Sequence, residues 1–300
     1  MKKLIVLSAI ITAVVLEWSF FAPAQPQDTA KEEKPTFYRL IPGVYVNGWP
    51  RFTIRYPKDW IERRPDFGGL FRAAPSGSAL LEKGFGVYPL FIPMPLDKFV
   101  DFMVPYYRAY ATDVTVVSDK PSQLRDGTPA RELEFRMVIN GVPRNSLSVA
   151  TNKGGILINV TVGTNKGTIG EDLRAIPYSI EFEPGKDEPV KVPPDVQEFS
   201  DRFGNDVLSH DVAKVVSRYS DKYLNSGMRK GEVERNWRQK ISSITSQKGT
   251  YTEFVPAGDR AYLTGFVIFN NTATLPNTFT SIIKENDEWK WYGNQRDVSP

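Results

Sequence analysis

Seven aromatic residues in the last third of the chain could line a binding site: Tyr219, Tyr223, Trp237, Tyr262, Phe266, Trp289 and Trp291. Phenols and indoles present broad apolar faces with a single polar handle, which suits a hydrophobic ligand or an apolar segment of a partner protein. The same rings would serve equally as plain core. Chemistry beyond binding needs an acid or base beside them. Asp221 falls off the apolar stripe of its predicted helix, Asp259 sits in a Gly-Asp turn, and Glu253 alternates with Tyr251 and Val255 on a strand. The sole histidine, His210, precedes Asp211. Adjacent helical residues point about 100° apart, so Asp211 cannot orient it as a triad requires, and His210 is read as a solvent-side or cap residue. The chain has no cysteine, which excludes thiol catalysis, disulfides and thiolate metal sites, and it has no Asp-x-Asp-x-Asp-Gly loop for calcium. No catalytic residue, metal or cofactor is assigned from these patterns.

The elements that must position the aromatics begin after residue 195. Val196, Phe199, Phe203 and Val207 share a helical stripe, continued by Val212, Val215, Val216, Tyr219 and Tyr223. Ser209 or Asp211 can cap a restart at that point, and Gly227 is expected to close the run. A helix over 230–244 presents Val233, Trp237, Ile241 and Ile244. Strands are predicted over 250–255, 260–269, 278–285 and 288–293, the last two joined by a tight turn at Asn286-Asp287. Alternation puts Trp289 and Trp291 on one strand face, where two indoles need a large apolar partner, and the helix from Val196 supplies it. A helix laid across a curved sheet with aromatics between makes a cone-shaped pocket.

The preceding part reads differently. Phe52, Ile54 and Tyr56 alternate on a first strand, and further strands are predicted over 67–78, 84–90, 114–117, 130–139, 145–150, 156–163 and 178–182. Asp126-Gly127, Asn140-Gly141 and Asn152-Lys-Gly-Gly155 supply the turns. A helix over 95–111 buries Phe99, Phe102, Met103, Tyr106 and Tyr110, with Pro105 expected to kink or weaken it. A short helix covers 169–176. Glu132, Glu134 and Arg136 read as a solvated strand face opposite Leu133, Phe135 and Met137. Lys120, Arg125 and Arg131 are too scattered for an anion site, and the Gly-Gly pairs at 68–69 and 154–155 lack any phosphate-loop context.

The chain bounds these readings. Its 300 residues allow about two domains, and a composition of 41% hydrophobic and 24% charged residues is that of a globular protein. A net charge of +3 gives no field to recruit nucleic acid. Lys2 and Lys3, the apolar run over 4–16 and Ala22-Pro-Ala24 read as an export signal cleaved before Gln25; retained, the segment would be a membrane anchor. Residues 25–36 read as a flexible spacer, and the Pro-rich stretch 184–195 as a linker between an α+β domain over 37–183 and a second over 196–300.

Two resemblances sharpen the fold class. Phe52-Thr-Ile-Arg-Tyr-Pro-Lys-Asp-Trp60, the hairpins after Asp126-Gly127 and Leu173-Arg-Ala-Ile-Pro-Tyr-Ser-Ile-Glu-Phe182 make the first part resemble the PsbP-like family, antiparallel sheets with flanking helices. The helix after Ile92-Pro-Met-Pro95 and its Pro105 depart from that pattern. The family implies an assembly or binding domain and brings no catalytic residue. Asp211-Val-Ala-Lys-Val-Val-Ser-Arg-Tyr-Ser-Asp-Lys-Tyr-Leu224 and Trp289-Lys-Trp-Tyr-Gly-Asn-Gln295 make the second part resemble the nuclear transport factor 2-like (SnoaL-like) cone fold. The segment after Tyr219 is most similar to variants appended to exported cell-envelope proteins. That family implies a shape and holds isomerases, hydratases, binding modules and dimerisation modules. Its enzymes pair a buried acid with a tyrosine or histidine. The expectation is an exported, periplasmic or extracellular, non-enzymatic binding or assembly protein. An isomerase- or hydrolase-like site at Tyr219 or Tyr223, and a homodimer through the cone sheet, are the alternatives.

Overall fold

Short turns with positive φ set the registers of a largely antiparallel protein. The computed structural model describes residues 41–65, 69–78, 82–90 and 94–298. The export signal over 1–24, the spacer over 25–36 and the expected strand start at residue 67 lie outside the described residues. Strands β1 (Val44–Asn47) and β2 (Phe52–Arg55) form a small sheet. Next come β3 (Trp60–Arg63), β4 (Phe71–Pro75), β5 (Lys83–Leu90), β6 (Thr112–Gln123), β7 (Pro129–Ile139), β8 (Val142–Lys153) and β9 (Ile156–Thr164). They build a seven-stranded antiparallel sheet in the order β3-β4-β5-β9-β8-β7-β6. Asn140 and Gly141 both take positive φ, as a two-residue hairpin with type I′ twist requires, and fix the β7–β8 register.

Helix α1 (Phe99–Arg108) lies on one face of that sheet. Its buried stripe is Phe99, Met103 and Tyr107, packed on Leu133, Phe135, Met137, Ala150 and Leu157. Each such side chain contributes about 1.5–3 kcal/mol by leaving water. The expected stripe is corrected here: Tyr106 and Tyr110 are 40% and 42% exposed, because the helix is turned so that the i, i+4, i+8 row faces inward. The other face meets β1, β2 and β10 (Glu181–Phe182), with α2 (Glu171–Arg174) and a 3-10 turn at Pro177–Ser179 closing the layer through Leu173, Ile176 and Ile180. The predicted strand over 178–182 thus shortens to its last two residues.

Strand β6 is also longer than expected. It is an edge strand, exposed along most of its length, so alternation of apolar residues is not needed to hold it. Pro121, which cannot donate to a ladder, is tolerated at an edge. Register shifts at Thr112/Thr115 and Val116/Ser118 give it a bulged outline.

In the second half, α3 (Pro194–Leu208) buries Val196, Phe199, Phe203 and Val207. Ser209 ends it, His210 takes φ of 58°, and Asp211 caps α4 (Val212–Ser217) by accepting from the N–H groups of Ala213 and Lys214. The helical run does not continue to Gly227. The chain leaves the helix at Arg218 because the Tyr219 segment pairs with the last strand. Trp291 N–H donates to Arg218 O at 2.8 Å, and Ser220 N–H to Trp291 O at 2.9 Å. A small hairpin, β11 (Leu224–Asn225) and β12 (Met228–Arg229), turns at Ser226-Gly227 and leads into α5 (Lys230–Lys240). Strands β13 (Gln247–Ala257), β14 (Arg260–Phe269), β15 (Ala273–Glu285) and β16 (Glu288–Trp291) form a four-stranded meander. The fold is mixed α+β, and no sheet among the described residues draws strands from both sides of residues 184–195.

Candidate functional site

The aromatic group assembles where α3 crosses β16. Trp291 is buried at 9% exposure, its ring 5.1 Å from Phe199 and 5.6 Å from Phe203. Phe203 in turn lies edge-on to Tyr219 and Trp237, and Tyr219 edge-on to Tyr223 at 5.0 Å. Such edge-to-face contacts suit the ring quadrupoles. Trp237 Nε1–H donates to the Tyr219 hydroxyl at 3.2 Å. The Trp291 indole N–H is buried and has no hydrogen-bond partner. Burial raises the hydroxyl pKa of both Tyr219 and Tyr223, so neither supplies a base near neutral pH.

Of the remaining candidates, one packs at the edge of this group and two lie outside it. Trp289 is half-buried at the rim, its Nε1–H donating to Asp195 Oδ2 at 2.8 Å with the Lys284 ammonium 5.5 Å over its ring. It ties the first turn of α3 to the sheet. Tyr262 and Phe266 occupy positions of β14 that alternate with Ala261 and Leu263, the residues packed against the aromatic core. They therefore face away from it, and Phe266 lies 4.2 Å from the ring of Trp49. These two are not walls of the aromatic group.

None of the carboxylates weighed as partners for the phenols is free to act with them. Asp221 accepts from Lys230 at 2.7 Å in solvent, Glu253 pairs with Arg51 at 3.6 Å, and the Asp259 side chain is 65% exposed. His210 Nε2 contacts Ile244 O at 2.8 Å while Asp211 caps α4, so the two neighbours serve separate structural ends.

A polar cluster that sequence alternation misread lies in the first half. Glu132 was expected in solvent, but its side chain is 4% exposed beneath the 171–179 segment. Arg174 bonds Glu132 at 3.0 Å and Glu134 at 2.9 Å, Lys120 reaches Glu132 at 3.2 Å, and Tyr178 donates to the second Glu132 oxygen. Ser122 bonds the Tyr178 hydroxyl at 2.8 Å. Burial raises the Glu132 pKa, but the hydrogen bonds from Tyr178 and Lys120 and the charge of Arg174 outweigh it, so the net shift is downward. Burial and the Glu132 hydrogen bond push Tyr178 up to about 12. A carboxylate held ionised beside a phenol held neutral exchanges no proton at neutral pH. This cluster is a strut.

The second half meets the first through several separate contacts. Beyond Trp49 and Phe266, Gly48 packs so closely on Thr264 that a Cβ there would lie 2.5 Å from its Oγ1. Arg51 bridges Glu183 and Glu253, Arg64 pairs with Glu232 at 2.5 Å, and Arg296 with Glu62. Residues of the 184–195 segment join in, Arg51 N–H donating to Asp187 and Val190 N–H to Tyr251 O. Phe37–Pro300 is one compact unit. No helix of the described residues is long and apolar enough to cross a membrane.

The sequence matches no protein-family profile and no curated protein. Among solved structures, the chain is similar to cyanobacterial PsbP (CyanoP) from Synechocystis sp. PCC 6803, at 16% identity and a TM-score of 0.38, covering 53% of this chain and all of that one. It is similar to a Bacteroides thetaiotaomicron protein at 13% identity and a TM-score of 0.30, over 80% of this chain and 85% of that one. A candidate dehydratase from the NTF2-like family, from Streptomyces avermitilis, matches at 13% identity and a TM-score of 0.26, over 33% of this chain and 89% of that one. Both families that the residues resemble thus recur among the matches, at overlaps that carry no argument about activity.

Proposed function

We propose that this chain is an exported, non-catalytic binding or assembly protein. Its second half holds a hydrophobic small molecule, or an apolar segment of a partner protein, against Tyr219, Tyr223, Trp237 and Trp291. Residues 37–183 and 196–300 act in this reading as two domains joined through 184–195, the first serving as the platform for the second.

The observation that carries the reading is the Trp291 indole N–H. A buried donor left without an acceptor costs about 1–3 kcal/mol, and a carbonyl-bearing apolar guest would recover that cost. The surrounding rings supply the apolar contact. Raised tyrosine pKa values and ion-paired carboxylates argue against acid–base chemistry in the same place.

The test is titration of the full chain with the naphthyl ketone prodan, followed by its emission shift. Saturable binding is expected, and Trp291→Phe, which keeps a ring and removes the donor, should weaken it about tenfold. Absence of saturable binding, or equal affinity in Trp291→Phe, would sink the proposal.

A further inference from the structure

An open cavity of about 300 Å³ lies at the end of the seven-stranded sheet where β6 begins and β7 turns into β8. The β7–β8 register sets Arg136 opposite Asn145 and Val138 opposite Pro143, and alternation puts these four on the sheet face that carries Glu132 and Glu134. Asp113 reaches the same cavity from β6, and Thr168 from the loop after β9. Asn145 Nδ2–H donates to Gly167 O at 2.5 Å, which holds that loop at the rim. Ligand sites typically enclose ~300–1,000 Å³, and a volume at the lower end of that range suits a small guest.

Two opposite charges line this cavity without meeting. Among the described residues, Asp113 and Arg136 form no ion pair with one another or with a third group. The nearest acid to Arg136 along its own strand face, Glu134, is taken by Arg174 at 2.9 Å. Asp113 stands in a register shift of β6, where Asp113 and Val114 together oppose Met137. Its φ of 53° is one that few residues adopt but aspartate tolerates. Bulges re-aim side chains, and here the bulged residue brings a carboxylate to the cavity wall. Arg144 lines the cavity too, but it is already engaged within the fold and is not counted among the ligands. The wall also includes the apolar side chains of Val138 and Pro143.

We propose that this cavity binds a free α-amino acid with an apolar side chain. Asp113 takes the ammonium group, Arg136 takes the carboxylate through its planar donor fork, and Val138 and Pro143 take the side chain. A zwitterion answers both charges at once. A simple anion would meet Asp113 as a like charge, and a simple cation would meet Arg136 in the same way. The site is independent of the aromatic group in the second half.

The experiment is calorimetric titration of the full chain at low ionic strength. The probes are L-leucine and L-phenylalanine, each compared with its N-acetyl derivative, which lacks the ammonium group, and its amide, which lacks the carboxylate. At least one free amino acid should bind saturably, and at least tenfold more tightly than either of its blocked derivatives. Asp113→Asn, which keeps a side chain that tolerates positive φ, should weaken that binding at least tenfold. Arg136→Gln should do the same. Arg125→Gln removes a charge from the turn at the far end of the β6–β7 hairpin and should change affinity less than twofold. An equal loss in Arg125→Gln would show non-specific attraction and overturn the site. Failure of both free amino acids to bind would overturn it too, as would blocked derivatives that bind as tightly as their parents. Circular dichroism identifies any variant that does not fold, and the ligand series on the wild type decides the outcome without the variants.

Discussion

The two halves treat a polar group inside a sheet-backed layer in opposite ways. In the first, Glu132 is surrounded by Arg174, Lys120 and Tyr178, so both of its oxygens are occupied. In the second, the Trp291 N–H is closed off among rings with nothing to accept from it. A saturated buried group stiffens a layer; an unsaturated one is a standing cost that a guest can remove. In the proposed reading, the aromatic group of the second half is therefore the place for a guest, and the Glu132 cluster of the first is not.

Substitutions can break that contrast or make it sharper. Trp291→Ala should cost the most, about 3–5 kcal/mol in urea unfolding, because it empties the centre of the aromatic group. Trp291→Phe should cost far less than the lost volume suggests, since it also removes an unpaired donor; a loss near that of alanine would refute the unpartnered state. Glu132→Leu should cost about 2–3 kcal/mol. That is below the ~3–5 kcal/mol for a fully buried pair, because Arg174 keeps a quarter of its side chain in water.

The pH dependence follows from the same cluster. Glu132 is lowered from 4.5, so its contribution is complete above that value and is lost as pH falls through the folded-state pKa. Tyr178 is raised, so its contribution is complete below pH 10 and is lost as pH rises toward about 12. Thermal melts of the wild type should therefore fall more steeply at both extremes than those of a Glu132→Gln, Tyr178→Phe double variant. Parallel curves would show that the cluster contributes nothing. Smallest of all should be Arg64→Gln, under about 1 kcal/mol, because its pair with Glu232 stays partly in solvent.

Local chemistry was legible wherever a residue type forces a conformation. Asn140-Gly141 and Asn286-Asp287 turn with positive φ, Asp211 caps a restart, and Trp291 meets Phe199 and Phe203 as alternation and helical spacing require. What stayed hidden was which surface covers which. Alternation places Glu132 and Arg136 on one strand face but cannot tell that the 171–179 segment lies over the first and not the second. Apolar spacing carried the helix on through Tyr219 and Tyr223, because nothing local reveals that the chain will pair there with β16. Tyr262 and Phe266 look like pocket walls until Trp49, remote in sequence, is found against Phe266.

That contact with Trp49 also constrains self-association. Open meander sheets of this kind offer a bare back to a twin, yet here the patch around Thr264 and Phe266 is already occupied by the chain's own earlier residues. A second copy could settle on that patch only after prising the molecule apart. A homodimer through the cone sheet would have to use the part of it that lies outside this patch.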